Sequence, residues 1–368
     1  MKGCDVMPFT LPHYSPPDFT KDAYRTAPDA LFSTAPADMV APDNYHATTI
    51  FPEYLKINGE WRIIADSRMD CVAVLEGGNL YAKEFRRLKK GDMVAIGRRD
   101  DGCEGILVHP DGFSKDDSPD EPFAFRLGRS RETAFSADYD FLYELLRYER
   151  DHGFIVWVTG PACSFDADSR EAFERLADNG YVGALLAGNA LATHDLEGAY
   201  LGTALGQDIY TQTPRPNGHY HHIDTLNRVR RHGSIEKFIT AENIRNGIVH
   251  ACYKNKIPMV LTGSIRDDGP LPEVLANVYE GQDAMRACLS RATTVIALAT
   301  ALHTIASGNI TPSYRLLDDG TVRPVFFYTI DISEFTANKL ADRGSLSARS
   351  IITNIQDFLV HLKHNLGS

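Results

Sequence analysis

The chain has 368 residues, 43% of them hydrophobic and 24% charged, and a formal net charge of −11. That balance describes a water-soluble globular chain with one large core or two ordinary ones, and with no stretch of about 18 apolar residues to cross a membrane. The acidic excess argues against nucleic acid or an anionic membrane as partner, since phosphate binding needs clustered Lys and Arg. The basic runs at 86–90 and 228–231 are short and read as solvated faces.

Residues 1–42 are rich in Pro, Asp, Ala and Ser without a sustained period, which predicts an extended arm. The opening MKGCDVMPFTLPHYSPP lacks the apolar core of a signal peptide, so a cytoplasmic location is expected. From 43 to 133, short β-type runs alternate with turn residues: YLKINGEWRII with Asn58-Gly59 at a hairpin turn, then CVAVLEGGNLYA, then DMVAIGRRDDGCEGILVHPDG. They predict a small all-β domain, a barrel or a sandwich.

A connecting helix over 134–152, ended by Gly153, opens the third region, 134–368. Strands are expected at 154–160, 182–188, 257–263, 293–300 and 324–331. Helices are expected at 169–179, 196–205, 223–256 and 271–291, with a last one near 348–364. Near-continuous apolar strands separated by helices imply an α/β fold with a parallel sheet covered on both faces.

The stretch LLAGNALATHDLEGAYLGTALG (185–206) is the most informative. An apolar strand breaks at Gly188-Asn189 and resumes as an amphipathic helix led by Asp195. Strand, glycine turn and helix N-terminus together present backbone N–H groups to an anionic ligand. The layout recurs at 261–273 (LTGSIRDDGPLPE) and 297–309 (ALATALHTIASGN). Ligands of an open parallel sheet bind beyond the carboxyl ends of its strands. The polar ends Thr159-Gly160-Pro161, Gly188-Asn189-Ala190, Thr262-Gly263-Ser264, Thr300 with His303, and Asp331 are therefore expected to line one crevice. Glycines that merely end strands are the alternative. Asp331 is placed to accept ribose hydroxyls or to cap the next helix.

Neither G-x-G-x-x-G nor G-x-x-x-x-G-K-[ST] is present, so motifs alone name no nucleotide. In SIRDDGPLPE, Arg266 suits two-pronged pairing with a carboxylate. Asp267 and Asp268 repel as neighbours, which makes one of them a proton acceptor; an Asp-capped turn is the bland alternative. His194-Asp195 and His303, at strand ends, are further acid/base candidates. GHYHHID (218–224), with His219, His221 and His222, reads as a loop that folds over a ligand, and no metal site is expected. The cysteines Cys4, Cys71, Cys103, Cys163, Cys252 and Cys288 are scattered without a C-x-x-C pair and read as reduced, mostly buried thiols. Cys163 alone lies near an expected ligand turn.

The pieces NGEW (58–61), LKKGDMVAIG (88–97), VTGPA (158–162), ALLAGNALATHDLE (184–197), GSIRDDGPLP (263–272), GQDAM (281–285), ALHTIASGN (301–309) and ADRGS (341–345) carry a resemblance. Over residues 45–366 the chain resembles the archaeal-type ornithine cyclodeaminases, the lysine-oxoglutarate reductase/saccharopine dehydrogenase conserved-region family. The resemblance implies a smaller β-rich N-terminal domain and a Rossmann-like C-terminal domain that binds NAD. It also implies conversion of ornithine, or a close diamino acid, to proline or a cyclic imino acid with release of ammonia. Hydride passes to NAD and back, so there is no net redox change.

Under that reading Asp268 or Asp195 serves as acid/base with His194 beside it, and Arg266 recognises charge. Gly160, Pro161, Gly188, Asn189, Ala190, Thr262, Gly263, Ser264, Thr300, His303 and Asp331 line the cofactor crevice. An amino-acid or opine-type NAD dehydrogenase, or a non-catalytic NAD- or amino-acid-sensing module, are the alternatives. A homo-oligomer with a small amino-acid substrate is expected. The chain departs from the family's usual pattern at 125–133, where Arg126, Arg129 and Arg131 would suit a more acidic substrate, and at 313–331, which is longer than usual.

Overall fold

The computed structural model describes residues 9–113, 136–265, 267, 269–333 and 345–367. Seven N-terminal strands, β1 (Leu31–Thr34), β2 (Glu53–Ile57), β3 (Glu60–Ile63), β4 (Val72–Glu76), β5 (Asn79–Lys83), β6 (Met93–Ile96) and β7 (Ile106–Val108), pair antiparallel into two sheets ordered β1-β6-β4-β5 and β3-β2-β7. Leu55 and Ile106 from one sheet meet Ala73, Leu80 and Ala95 from the other in a shared core. The β2–β3 turn at Asn58 (φ 53°) and Gly59 (φ 82°) has both central residues left-handed, the geometry whose twist matches flanking strands.

The leader is not an unpaired arm. β1 joins the sheet through β6, and α1 (Asp22–Arg25) is clamped from below by Lys56. That buried ammonium donates to the carbonyls of Tyr24, Arg25 and Ala27 at 3.1, 2.8 and 2.8 Å, which satisfies the helix's orphan acceptors and the lysine together. Phe9 packs edge-on against Phe141 and Phe326 of the C-terminal part.

That part runs α2 (Ser136–His152), β8 (Ile155–Thr159), α3 (Ala167–Asp178), β9 (Ala184–Gly188), α4 (Asn189–Leu201), β10 (Thr203–Ala204), β11 (Gln207–Asp208), α5 (Gly218–His232), α6 (Ile235–Ala241) and α7 (Ile248–Lys254). It continues with β12 (Met259–Thr262), α8 (Val278–Leu289), β13 (Thr294–Leu298), α9 (Ala301–Ile310), β14 (Tyr314–Leu316), β15 (Val322–Pro324), β16 (Phe326–Asp331), β17 (Ser347–Ile352) and α10 (Ile355–Leu366). Six strands form one sheet in the order β12-β9-β8-β13-β16-β17, and every pair is parallel. Counted by chain position within the sheet, the order is 3-2-1-4-5-6, the doubly wound arrangement of dinucleotide folds. One core cluster joins Trp157, Leu185 and Leu261 of the sheet to Phe173, Leu191, Phe238 and Phe358 of the helices.

Several expectations change here: the helix expected at 223–256 is three, α5, α6 and α7, and the one expected at 271–291 begins at Val278. The sheet has a sixth strand, β17, where a helix from 348 is expected; that helix begins only after Asn354, whose side chain accepts from the Gln356 and Asp357 amides. The long segment at 313–331 is a hairpin, β14–β15, that seats on the β-rich part: the Tyr314 hydroxyl donates to the Ile64 carbonyl at 2.6 Å. Below it Arg323 and Glu149 form an ion pair with almost no exposure. A second junction is ionic. Glu84, beside β5, accepts from both Arg68 and Arg286 of α8, while Arg86 reaches Asp283 at 2.9 Å and covers the Tyr279 ring. Among the described residues no helix is long and apolar enough to cross a membrane.

Candidate active site

The strand order reverses between β8 and β13, so the connections leaving these neighbours run to opposite faces and open a crevice at their carboxyl ends. The two ends touch there. The Gly160 amide donates to the Leu298 carbonyl at 2.8 Å, and a Cβ on Gly160 would lie 2.1 Å from the Ala299 carbonyl oxygen. Ala299 itself has φ 44°, a left-handed conformation that a non-glycine residue holds only under tertiary constraint. Pro161 follows at the start of a short 3-10 turn.

One strand over, Gly188 precedes the first residue of α4, so Asn189 and Ala190 sit in that helix's first turn with their backbone N–H groups toward the sheet's carboxyl side. The Asn189 side chain accepts from the Leu271 amide at 3.0 Å and ties the loop after β12 to the α4 start. His303, in the first turn of α9, spans three strand ends: Nε2 meets the Thr262 hydroxyl at 2.8 Å, Nδ1 the Thr300 hydroxyl at 3.3 Å, and its Cε1 lies 3.0 Å from where a Gly188 Cβ would be. Burial lowers the His303 pKa against the pull of Asp267, which favours the neutral ring. Gly263 bonds the Leu275 carbonyl, and the Ser264 amide donates to Asp267 at 2.7 Å. Asp331 lies further along the sheet, where it accepts from the Ser333 amide at 2.8 Å and closes a turn.

Beside these ends opens a cleft of about 680 Å³. Its floor is Asn189 and Ala190, its wall is α5 through His222, Leu226 and Arg230, and its lip is Asp267 and Gly269. Arg230 donates to the Pro270 carbonyl at 2.8 Å and so holds the lip.

Several expected site residues stand elsewhere. Asp195 is fully buried on the far side of α4: it pairs with Arg170 at 2.8 Å and accepts from the Ile248 and Val249 amides at 3.0 and 2.8 Å. It is an ion-paired cap for α7 and has no oxygen to offer the cleft. The expectation that Asp195 leads the helix fails for a related reason, since α4 already begins at Asn189 and Asp195 lies two turns in. His194 is likewise inside α4, bonded to Glu197 at 3.0 Å. The histidine group is no loop: it forms the first turns of α5, admitted by a backbone contact in which a Gly218 Cβ would lie 2.4 Å from the Gly206 carbonyl. Arg266, Asp268, Arg126, Arg129 and Arg131 lie outside the described residues.

Sequence reading missed Arg230 and the cleft-facing role of His222. Their spacing, 222, 226 and 230, is the four-residue step of one helix face, but the helix expected from 223 begins after His222, and Arg230 sits in a basic run that reads as a solvated face.

Cys163 is fully buried beneath the turn after β8, and burial pushes its thiol up to about 12. Alkylating the native protein at neutral pH is expected to label exposed Cys103 while Cys71, Cys163 and Cys252 stay unmodified until unfolding; peptide mass mapping reads the result. Rapid native labelling of Cys163 would restore it as a reactive candidate.

Residues 52–130 match the family described as arginine dihydrolase ArgZ-like, C-terminal, first region, and residues 141–362 match its C-terminal Rossmann fold. An ornithine cyclodeaminase of Archaeoglobus fulgidus is 38% identical over 327 residues, which cover 88% of this chain and 76% of that one. The crystal structure of a conserved putative LOR/SDH protein from Methanococcus maripaludis superposes with a TM-score of 0.83 at 36% identity, covering 92% of this chain and 98% of that one. A ternary complex of AgrE with ornithine and NAD+ matches with a TM-score of 0.58 at 33% identity, covering 93% of this chain but 46% of that one.

Proposed function

The chain belongs to the family of the archaeal ornithine cyclodeaminases, and from that premise we propose that it is an NAD-dependent enzyme that converts ornithine to proline with release of ammonia. The observation that carries the reading is the cleft beside the switch point, which offers both a cation and a carboxylate, Arg230 and Asp267, to a molecule carrying the opposite pair. The residues present fit a dinucleotide: Gly160 lets the β8 and β13 ends pack backbone to backbone at the switch point, a contact any side chain would block, and the first turn of α4 presents N–H groups to phosphate. NAD, when bound, supplies reversible hydride acceptance from the substrate's α-carbon.

The protein's own residues orient and charge the site. The Arg230 guanidinium holds the substrate carboxylate, with one N–H fixed on Pro270 and others left to point into the cleft. Asp267 draws the distal ammonium, so that the side-chain amine is folded back toward the α-carbon for ring closure, a proximity effect. Neutral His303 keeps the Thr262 and Thr300 strand ends in register above the sheet.

Incubation with NAD and a panel of diamino acids, followed by mass spectrometry, is expected to yield proline and ammonia from ornithine without steady accumulation of NADH. Accumulating NADH would identify a net dehydrogenase instead. In the same assay Arg230→Gln is expected to raise KM for ornithine by about tenfold to a hundredfold while kcat changes little, the loss of one charge-assisted pairing. An unchanged KM would remove Arg230 from carboxylate binding.

A further inference from the structure

Behind the α5 wall lies a chain of polar groups that the reading above leaves unused. Glu197 has no exposure. Its carboxylate accepts from the Thr203 hydroxyl at 2.8 Å, the Gly206 and Leu205 amides at 3.0 and 3.2 Å, and His194 Nδ1 at 3.0 Å. Burial works against this charge, but the bonds from His194, Gly206 and Thr203 outweigh it and hold the carboxyl below its usual range. An ionised carboxylate only accepts, so His194 Nδ1 carries the hydrogen and, in the neutral ring, Nε2 is the acceptor. The single Thr203 proton also goes to Glu197, so Thr203 in turn accepts from His221 Nδ1 at 2.8 Å.

On the cleft side, the His194 ring lies against His222, with centroids 4.9 Å apart and planes tilted by 32°. A nitrogen of each ring and a Glu197 oxygen all fall within 4.8 Å of one another, a gap that one water can bridge. His222 itself lines the cleft on the face that also carries Leu226 and Arg230.

We propose that His222 transfers protons to and from the substrate in this cleft, and that Glu197, acting through His194, is the positioning residue that orients it. The inference rests on the cyclodeaminase reading. The proton that leaves the substrate's α-ammonium group as the α-carbon gives up its hydride passes to His222. The distal ammonium sheds one proton to solvent, the amine so freed bonds to that carbon and sheds a second, and His222 returns its proton to the α-nitrogen as the carbon–nitrogen bond breaks and ammonia departs. The two shed protons end on ammonia and on the ring nitrogen of proline. The hydride comes back to the same carbon, so ornithine becomes proline and ammonium with no gain or loss of electrons. The same three residues also have the composition of a metal-ligand set. Four donors already occupy Glu197, however, and a carboxylate has about four lone-pair sites, so the hydrogen-bonded array is the better description.

In the full chain with ornithine and NAD, His222→Ala is expected to lower kcat by about a hundredfold or more, with KM within about threefold of wild type, and added imidazole to restore at least about tenfold. Retained kcat, loss that imidazole does not relieve, or restoration by a divalent metal in its place would each overturn the proposal. A second measurement needs no substrate: NMR of the ring nitrogens, assigned with His194→Gln, is expected to show His194 as the Nδ1–H tautomer in the wild type. The Nε2–H tautomer there would overturn the array whatever the enzyme turns over, whereas a wild type inert on ornithine would overturn only the substrate reading.

Discussion

Asp195→Ala is expected to destabilise the protein by about 3–5 kcal/mol, because truncating one member of a buried ion pair strands the other charge without solvent or counter-charge. The stranded group is Arg170, only 4% exposed, whose Nε meets Asp195 and whose Nη2 reaches the Asp195 carbonyl at 3.0 Å and Asn246 at 3.0 Å. Two further donors lose their acceptor, the Ile248 and Val249 amides that open α7. The preceding residue cannot take over, since Gly247 has φ 103° and no side chain; a Cβ there would in any case lie 2.4 Å from Arg170 Nη2. Urea unfolding reads the stability loss, and turnover measured where the variant is still folded is expected to be near wild type. A variant of unchanged stability and abolished turnover would instead return Asp195 to the chemistry.

Gly160→Ala is expected to weaken NAD binding by about a hundredfold, the scale on which a displacement of roughly 1 Å acts in a positioned site. The added methyl would meet backbone rather than a yielding side-chain tip: the Ala299 carbonyl oxygen at 2.1 Å and carbon at 2.9 Å, with Thr300 Cβ at 3.3 Å. Ala299 is already held at φ 44°, so it has little room to retreat, and Thr300 with its bond to His303 moves with it. Calorimetric titration with NAD, alongside a melting curve that registers overpacking of about 1–3 kcal/mol, distinguishes the two consequences. Wild-type affinity in a stable variant would place the cofactor away from the β8–β13 junction.

The sheet was readable in the sequence because its central strands are buried on both faces. Ile155–Thr159 and Thr294–Leu298 have no exposed position, so their apolar runs are unbroken. β17 escaped because it is an edge strand, and Ser347, Arg349 and Ser350 interrupt its apolar pattern. The leader escaped because what orders it is remote in sequence: Lys56 lies about thirty residues beyond the carbonyls it satisfies. The strand-end residues around Gly188, Thr262 and His303 could be grouped from topology alone, since a parallel sheet delivers all its carboxyl ends to one side. Asp195 could not be excluded in that way. Which direction a helical side chain takes depends on where the helix begins, and the start at Asn189 turns Asp195 toward α3 and α7. Only the first turn of α5, at 218–222, was hidden, by the Thr-Pro-Arg-Pro-Asn segment before it and by Gly218, whose close contact with Gly206 only the folded chain reveals.

The bridge from Arg68 through Glu84 to Arg286, with Arg86 on Asp283, rivets the antiparallel half to α8, and α8 flanks β12. Enzymes of two lobes commonly admit and seal in their reactants by swinging one lobe against the other about a hinge. Here those ion pairs oppose such a rotation, and the floor, wall and lip of the cleft all belong to the same lobe. Under the proposed function, movement that admits a ligand is therefore expected in the α5 wall and the Asp267 lip, which the Arg230–Pro270 hydrogen bond joins.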